Sequence, residues 1–287
     1  MDKTKAAEYR ELVDIVRDDY LKNPRKNKSE SIVLNWCEAS KDNTGLCREI
    51  NLWTYWQGRG YANETPEIDY LLVGQDWGNP DLEKNHDCLQ RIRRINAGET
   101  DVPYIMEGDS EQYATDLNMA ILFQELGFGK SKEESIINKR YPNLFFTNFC
   151  LGYRRGDQKE TGKMTKQIMN LDKEYFDKLV KILRPKHILC LGKLTFECVY
   201  EALSGLKAAN LDHFKDDYNI FLEKQNGFEV VSEDLTAKVF PLAHCGVVGT
   251  MNRNKIRDDK RKLITDPDLD KTDPLSKQKA DWRKAII

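Results

Sequence analysis

Three polar side chains stand where short apolar runs of the chain end, and their types suit catalysis. The runs cover residues 68–73, 143–150 and 237–242, and the side chains at or near their ends are Asp76, Asn148 and His244. A carboxylate can stabilise a cation or orient water, an imidazole can donate a hydrogen bond, and an amide can match a donor–acceptor pair on a ligand. Each also has a structural explanation, because Asp76 could complete a turn, Asn148 could bond backbone, and an isolated histidine is often structural.

The apolar runs have the length and the β-branched or aromatic content of buried strands, and the segments between them have helical periodicity. Strands are predicted at 68–73, 143–150, 186–192 and 237–242, with a short one near 228–231, and helices at 1–22, 82–97, 114–126, 164–183, 194–203 and 250–263. This alternation predicts an α/β fold, a three-layer αβα arrangement with a central, mostly parallel four-stranded sheet. The carboxyl ends of such strands share one edge, where ligands bind, so the three side chains could converge there.

Composition limits the class of protein. The chain has 287 residues, of which 32% are charged, and it contains no run of apolar residues long enough for a transmembrane helix. Its charged N-terminus does not resemble a signal peptide, so we expect a monomer in the cytoplasm without membrane contact.

The predicted organisation is an N-terminal helical and aromatic extension packed on the core (1–65), an α/β domain (66–264) and a charged, partly disordered C-terminal tail (265–287).

The charge and the cysteines carry little functional information by themselves. The net charge of −2 does not indicate a nucleic-acid-binding protein, so any site for a polyanion must come from local patches. Two basic stretches qualify, Arg154–Arg155 with the lysines after it and residues 253–262, although most such runs are solvated surfaces. The seven cysteines include no CxxC pair, which favours free thiols and makes a zinc site unlikely to form.

Four segments, taken in order, resemble the uracil-DNA glycosylase superfamily. Gly74-Gln75-Asp76 is similar to the superfamily's water-activating motif, and Phe146-Thr147-Asn148 to the strand that reads uracil. Residues 184–192 match its proline–lysine–apolar strand–leucine–glycine segment, and 241–246 its histidine loop. The resemblance covers roughly residues 65–262. It implies an enzyme that removes uracil or a related deaminated base from DNA by hydrolysis.

The resemblance implies a role for each residue of the constellation. Asp76 would stabilise the sugar cation and orient water, and His244 would donate a hydrogen bond to O2 of the departing base. Asn148 would read the pyrimidine edge, because one amide matches the N3–H donor and O4 acceptor of uracil and mismatches cytosine. Gln75 would contribute either a backbone N–H or its side chain to the base.

The same resemblance implies a DNA-binding surface. The target base must leave the stack, and either Tyr113 or Tyr104 would lie under it. Val247, followed by Val248 and Met251, occupies the position of an apolar wedge that enters the duplex. The side chains expected to contact phosphates are Arg154, Arg155, Arg253 and Lys255.

Two departures from the superfamily pattern affect the pocket and the loop. Trp77 and Gly78 follow Asp76 where the best-studied branch has proline and tyrosine, so Trp77 could either exclude a thymine methyl group or reshape the pocket for another base. Cys245 and Gly246 follow His244 in place of proline and serine, which implies a more flexible loop.

One branch of the superfamily holds an iron–sulfur cluster with four cysteines. Cys150 fits one ligand position, but Cys37 and Cys47 are more widely spaced than the usual pair. The fourth ligand is expected within 164–183, which contains no cysteine, so Cys88 would have to substitute. We therefore expect no cluster and no cofactor.

Two further hypotheses remain open at the level of sequence. A catalytically silent relative would bind DNA or a protein partner through the same cleft, with salt-dependent affinity and no base excision. A small-molecule protein would use the cleft for a free nucleotide or nucleoside, which the modest net charge permits.

Overall fold

The computed structural model describes residues 4–30, 32–35, 67–76, 114–129, 131, 134, 136, 141, 143–154, 164–260 and 262–286. Within these ranges the helices are α1 (Lys5–Lys22), α2 (Ala114–Gln124), α3 (Lys166–Met169), α4 (Lys173–Leu183), α5 (Lys193–Ser204), α6 (Tyr218–Lys224), α7 (Val247–Arg253) and α8 (Ser276–Arg283). The strands are β1 (Arg25–Lys26), β2 (Val33–Asn35), β3 (Tyr70–Gly74), β4 (Leu144–Asn148), β5 (Tyr153–Arg154), β6 (His187–Leu191), β7 (Phe228–Val231), β8 (Thr236–Leu242), β9 (Lys255–Arg257) and β10 (Leu263–Thr265).

The central sheet has five strands in the order β4-β3-β6-β8-β7. The first four are parallel, and β7 joins the edge antiparallel to β8. The predicted α/β class and mostly parallel sheet are therefore confirmed, whereas the predicted count of four strands is one too low. The fifth strand forms because Ser232 N–H donates to the Leu235 carbonyl, which closes a short turn and returns the chain as a hairpin.

Helices cover both faces of this sheet, because its parallel strands are apolar on both sides. On one face, α1, α4 and α5 bury residues such as Tyr9, Phe176 and Phe196 against odd-numbered residues of β3 and β4. On the other face, α2 and α8 bury Phe123 and Trp282. Side chains two residues apart on a strand point to the same face, so strand register decides which layer each residue joins.

The amphipathic helix α4 shows why these layers form. Its buried residues Phe176, Leu179, Val180 and Leu183 recur at helical spacing and face the sheet. The helix ends where Arg184 adopts a left-handed conformation (φ 50°) immediately before Pro185, and β6 begins two residues later. This turn delivers the predicted apolar strand into the middle of the sheet.

The N-terminal part of the chain packs on the α1–α4–α5 face. Helix α1 contacts α4 and buries Tyr9 and Tyr20 completely. A small antiparallel sheet in the order β1-β2-β5 then joins this part to the segment that follows β4.

Several sequence-based boundaries differ from the structure. The predicted helix 164–183 is divided by a 3₁₀ turn at Asn170–Asp172, because the buried Asp172 carboxylate turns inward to accept hydrogen bonds. The predicted basic helix 250–263 is instead the end of α7 followed by the β9–β10 hairpin.

The predicted disordered tail is wrong for residues 276–285. These residues form α8 and its end, where Trp282 and Ala285 are fully buried. The reason is the apolar spacing of Leu275, Trp282 and Ala285, which gives the segment one face that packs against the sheet. The predicted helix 82–97 lies outside the described residues.

Candidate functional site

Asp76, Asn148 and His244 lie at or just past one edge of the sheet. Parallel pairing brings the ends of β3, β4 and β8 to the same edge. Even-numbered residues of these strands pack against α2 and α8, namely Tyr70, Leu72, Leu144, Phe240 and Leu242. Asn148 lies on this even-numbered face at the end of β4, and Asp76 and His244 follow the ends of β3 and β8 by two residues.

Gly74 and Asn148 are direct partners at the ends of β3 and β4. A Cβ atom on Gly74 would lie 2.0 Å from Asn148 Oδ1, so only glycine lets the amide lie across the neighbouring strand. Phe149 N–H then donates to the Gly74 carbonyl and Cys150 N–H to the Gln75 carbonyl, which extends the pairing past both strands. Gln75 and Asp76 are half-buried there.

The Asn148 amide is nearly buried, with 4% of the residue exposed. The backbone of Asn148 pairs with Gly74, but its side chain forms no hydrogen bond to any residue that the structure describes. The buried side-chain atoms that lack a hydrogen bond in the described residues include none from Asn148, so the amide retains solvent contact at the strand end and is available to a ligand. The predicted alternative, that Asn148 bonds backbone to end the sheet, therefore has no support in these contacts.

The His244 ring is held as one tautomer. Gly246 N–H donates to Nδ1 over 2.9 Å, so Nδ1 must be the unprotonated acceptor and Nε2 carries the hydrogen in the neutral ring. The residue is exposed by surface area, yet the packed protein around the ring desolvates it enough to lower its pKa from the ordinary value. The negative charge of Asp76 acts in the opposite direction and raises the pKa of His244.

This electrostatic interaction places Asp76 and His244 within reach of one another. Charges in proteins act strongly only over short distances, because solvent and salt screen them farther away. The carboxylate and the neutral imidazole therefore both lie near the carboxyl edge of the sheet. Such a pair can stabilise positive charge on one side of a ligand and negative charge on the other.

Helices α2 and α8 hold the loop that carries His244. Asn118 on α2 donates from Nδ2 to the Cys245 carbonyl over 2.7 Å, and Gln278 on α8 donates from Nε2 to the His244 carbonyl over 3.1 Å. A Cβ atom on Gly249 would lie 2.1 Å from the same His244 carbonyl oxygen, so the backbone of α7 also lies close against the histidine loop. The loop is thus enclosed by three helices, in contrast to the predicted flexible loop.

An exposed apolar ridge begins immediately after this loop. Val247, Val248 and Met251 on α7 are 56%, 70% and 57% exposed. Large apolar side chains exposed together indicate a binding surface rather than packing. They lie three to seven residues after His244, where a wedge is predicted, and that role stays a prediction.

Arg253 does not belong to the phosphate-binding surface that we predicted. It is 3% exposed, and its guanidinium forms two hydrogen bonds to the Asp281 carboxylate of α8, at 2.7 Å and 3.2 Å. It also contacts Glu223. The residue faces inward because it ends α7 on the side that packs against α8, so the prediction of a phosphate contact is wrong.

The other predicted contact residues are placed only in part. Lys255 begins β9, is half-buried and contacts Asn252 Oδ1 through Nζ. The backbone of Arg154 lies in β5. The positions of Trp77, Tyr104, Tyr113 and Arg155 lie outside the described residues. Tyr113 directly precedes α2, whose Thr115 Oγ1 would lie 2.9 Å from a Cβ on Gly246, so the chain next to Tyr113 reaches the histidine loop.

No group of three or more metal-binding side chains within the described ranges could hold an ion. Cys150 is buried just after Asn148, whereas Cys37, Cys47 and Cys88 lie outside those ranges. The expectation that no iron–sulfur cluster forms stays a prediction. None of the helices described above is long and apolar enough to cross a membrane.

The residues that hold the site are not among those predicted from the sequence. Asn118, Gly249 and Gln278 have no motif, and only the apolar spacing of Leu275 and Trp282 could have indicated that a helix near Gln278 packs on the core. Neither a scan against protein-family models nor a search of curated proteins found a match for the chain.

Proposed function

We propose that this protein is a DNA glycosylase that hydrolyses the N-glycosidic bond of uracil, or a related deaminated base, flipped out of DNA. The observation that carries the proposal is the arrangement of Asp76 and His244. The charge of the carboxylate acts on the imidazole, and the imidazole is the Nε2–H tautomer with a lowered pKa. The order of motifs that resembles the superfamily supplies the reaction class.

The chemistry requires opposite charges on the two sides of the breaking bond. As the bond between the sugar C1′ and the base nitrogen breaks, its electron pair leaves with the base and positive charge develops on the sugar. Asp76 would stabilise that cation and accept a proton from the water that attacks C1′. The proton then passes to the departing base, so the products are the free base and an abasic sugar.

His244 would act as a hydrogen-bond donor to the departing base. Negative charge collects on the base O2, and a preorganised donor aimed at that atom stabilises it. A neutral ring donates from Nε2 and leaves Nδ1 as the acceptor for Gly246 N–H. A protonated ring would lose that internal hydrogen bond, which is why the lowered pKa suits this role.

Asn148 would select the base. Its nearly buried amide has no hydrogen bond to the described residues and stands beside Gly74, where a pyrimidine edge could fill its donor and acceptor capacity. A buried amide rejects ligands that leave it unmatched, because each unmet group keeps its desolvation cost.

The ridge Val247, Val248 and Met251 would enter the duplex in place of the extruded base. Apolar side chains inserted at a base step stabilise the opened stack, and extrusion costs a few kcal/mol that such contacts can offset. The ridge adjoins the histidine loop through Gly246, so wedge and donor would act on the same nucleotide.

Single-turnover excision assays test this function. The substrate is an oligonucleotide with one uracil, supplemented by a panel of other deaminated bases, and the product is detected by alkaline cleavage of the abasic site. We expect His244→Ala to lower the rate by about 10²–10³-fold, as for loss of one oxyanion donor. We expect Asp76→Asn to be at least as damaging.

Matched variants control for folding and charge. His213→Ala removes an exposed histidine that pairs with Asp216, and Asp14→Asn removes an exposed carboxylate on α1; both should excise at the wild-type rate. Salt-dependent DNA binding without excision of any base would contradict the enzyme and identify a silent DNA-binding protein. Binding of free nucleosides with no affinity for DNA would contradict both.

A further inference from the structure

Gln278 on the C-terminal helix α8 joins two parts of the candidate site. Only 1% of the residue is exposed. Its Nε2 donates to the His244 carbonyl over 3.1 Å, and its Oε1 accepts a hydrogen bond from Thr250 Oγ1 over 2.8 Å. The side chain thus links the loop before α7 to the middle of α7.

The orientation of this amide is determined by its partners. A backbone carbonyl can only accept, so the NH₂ group of Gln278 must face His244, and the amide oxygen is left for the Thr250 hydroxyl. An apolar side chain of the same size would leave the His244 carbonyl and the hydroxyl unmatched. The exposed apolar side chains of α7 do not depend on this amide for a hydrogen bond. We therefore expect the effect of the Gln278 amide on function to arise at His244.

Helix α8 is itself firmly attached to the body. The Arg253–Asp281 pair joins it to the end of α7, and Trp282 packs against Phe123 on α2. At its far end, the Ala285 carbonyl accepts a hydrogen bond from the Tyr70 hydroxyl over 2.9 Å and lies 3.0 Å from His187 Nδ1. Gln278 therefore projects from an anchored helix.

The His244 backbone needs this support because its ring is exposed. The ring itself has one hydrogen bond to the described residues, from Gly246 N–H, which lies two residues away in the same loop. A bond within the loop cannot fix where the loop as a whole lies. Gln278, from a remote part of the chain, can.

We infer that Gln278 is a positioning residue for His244, and that α8 belongs to the functional site although it touches no substrate. The inference rests on the proposed function for its kinetic consequence. Its structural consequence, the placement of the imidazole, can be measured without activity. Displacing a donor by about 1 Å can lower a rate by about 10²-fold.

The test compares Gln278→Met with two Thr250 variants and one control. Gln278→Met keeps the side-chain size and removes both hydrogen bonds, Thr250→Val removes the hydroxyl that orients the amide, and Thr250→Ser retains it. Gln225→Met removes a comparable hydrogen bond to the Asp212 carbonyl and serves as the control.

Three measurements apply to each variant. They are the single-turnover excision rate, the affinity for uracil-containing DNA, and the pKa of His244 followed by NMR of its Cε1–H signal, which His244→Ala assigns. We expect Gln278→Met to lower the rate by between about 10-fold and about 100-fold with unchanged DNA affinity. The pKa of His244 should move up toward its ordinary value, because a displaced ring is more hydrated. Thr250→Val should follow Gln278→Met, and Thr250→Ser should restore wild-type behaviour.

The outcomes separate this inference from the function on which it rests. An unchanged His244 titration and excision rate in Gln278→Met and Thr250→Val would overturn the positioning role. A rate that falls only with the folded fraction would also overturn it. If wild-type protein excises no base but both variants alter the His244 titration, the positioning role stands and the glycosylase proposal fails.

Discussion

At the scale of single residues, one hydrogen bond decides what His244 can do. Because Gly246 N–H donates to Nδ1, the ring offers Nε2–H outward and can serve as a neutral donor. Desolvation by the surrounding protein lowers its pKa, and the charge of Asp76 partly reverses that shift. The charge of Asp76 can therefore be detected through the titration of His244.

The variant Asp76→Asn should lower the pKa of His244 below its wild-type value, because the charge that raises it is removed. In wild type the neutral ring should persist below about pH 6.5, the ordinary histidine value, so excision should decline only at more acidic pH. NMR titration of the His244 Cε1–H signal checks both statements. Asp14→Asn, on the opposite face, should leave the titration unchanged, and a rise of the His244 pKa in Asp76→Asn would contradict the coupling.

The variant Asn148→Leu should separate stability from function. Leucine has nearly the same shape, and it replaces a nearly buried amide that has no hydrogen bond to the described residues. We expect the free energy of unfolding in urea to change by less than about 1 kcal/mol, because no hydrogen bond is lost, while excision is lost.

Asn143→Leu provides the matched comparison for Asn148→Leu. Asn143 lies at the other end of the same strand, and its Nδ2 donates to Asp69 Oδ2 over 2.8 Å. Losing that hydrogen bond should reduce stability by about 1 kcal/mol and leave excision unchanged. If Asn148→Leu destabilises the protein as much as Asn143→Leu does, the Asn148 amide has a structural role.

At the scale of elements, the strands were predictable and the supports were not. The runs at 68–73, 143–150, 186–192 and 237–242 are apolar enough to indicate buried strands. The structure places β4 and β6 within them, and β3 and β8 each extend one residue beyond. Alternation then places the strand-end residues on one face. The hydrogen bonds from α2 and α8 to the histidine loop depend on tertiary contacts, which no local pattern contains.

The β9–β10 hairpin was missed although its sequence indicates it. Ile256 lies between Lys255 and Arg257 and pairs with Ile264 across the hairpin, and Asp258 Oδ1 accepts N–H bonds from Lys260 and Lys262 in the turn. The prediction of a helix over 250–263 did not take into account the aspartate turn at Asp258, which favours a hairpin.

At the scale of the whole molecule, both ends of the chain support the site from opposite faces. The C-terminal helix α8 holds the histidine loop, and the N-terminal segment holds the stretch that follows Asn148. The Asp172 carboxylate accepts hydrogen bonds from Arg25 Nε, from the Tyr20 hydroxyl and from Leu151 N–H. A Cβ atom on Gly152 would lie 2.3 Å from the Tyr20 ring, so this stretch packs directly on α1.

The Arg25–Asp172 pair should therefore control the stability of the whole fold. Arg25→Met leaves the fully buried Asp172 carboxylate without its cation, and loss of one partner of a buried pair costs about 3–5 kcal/mol.

This loss should depend on pH. Desolvation raises the pKa of Asp172 and Arg25 opposes that rise, so the variant raises the pKa of Asp172 further. A carboxyl group whose pKa is higher in the folded than in the unfolded state stabilises the fold at pH values below its unfolded-state pKa. That contribution is lost as the pH rises through its folded-state pKa. Urea unfolding should thus show a larger deficit at pH 7 than at about pH 4.5. Arg17→Met, which breaks only the partly exposed pairs with Asp14 and Asp18 within α1, should change stability by less than about 1 kcal/mol at either pH. An equally small change in Arg25→Met would mean that the N-terminal segment is not fastened through this pair.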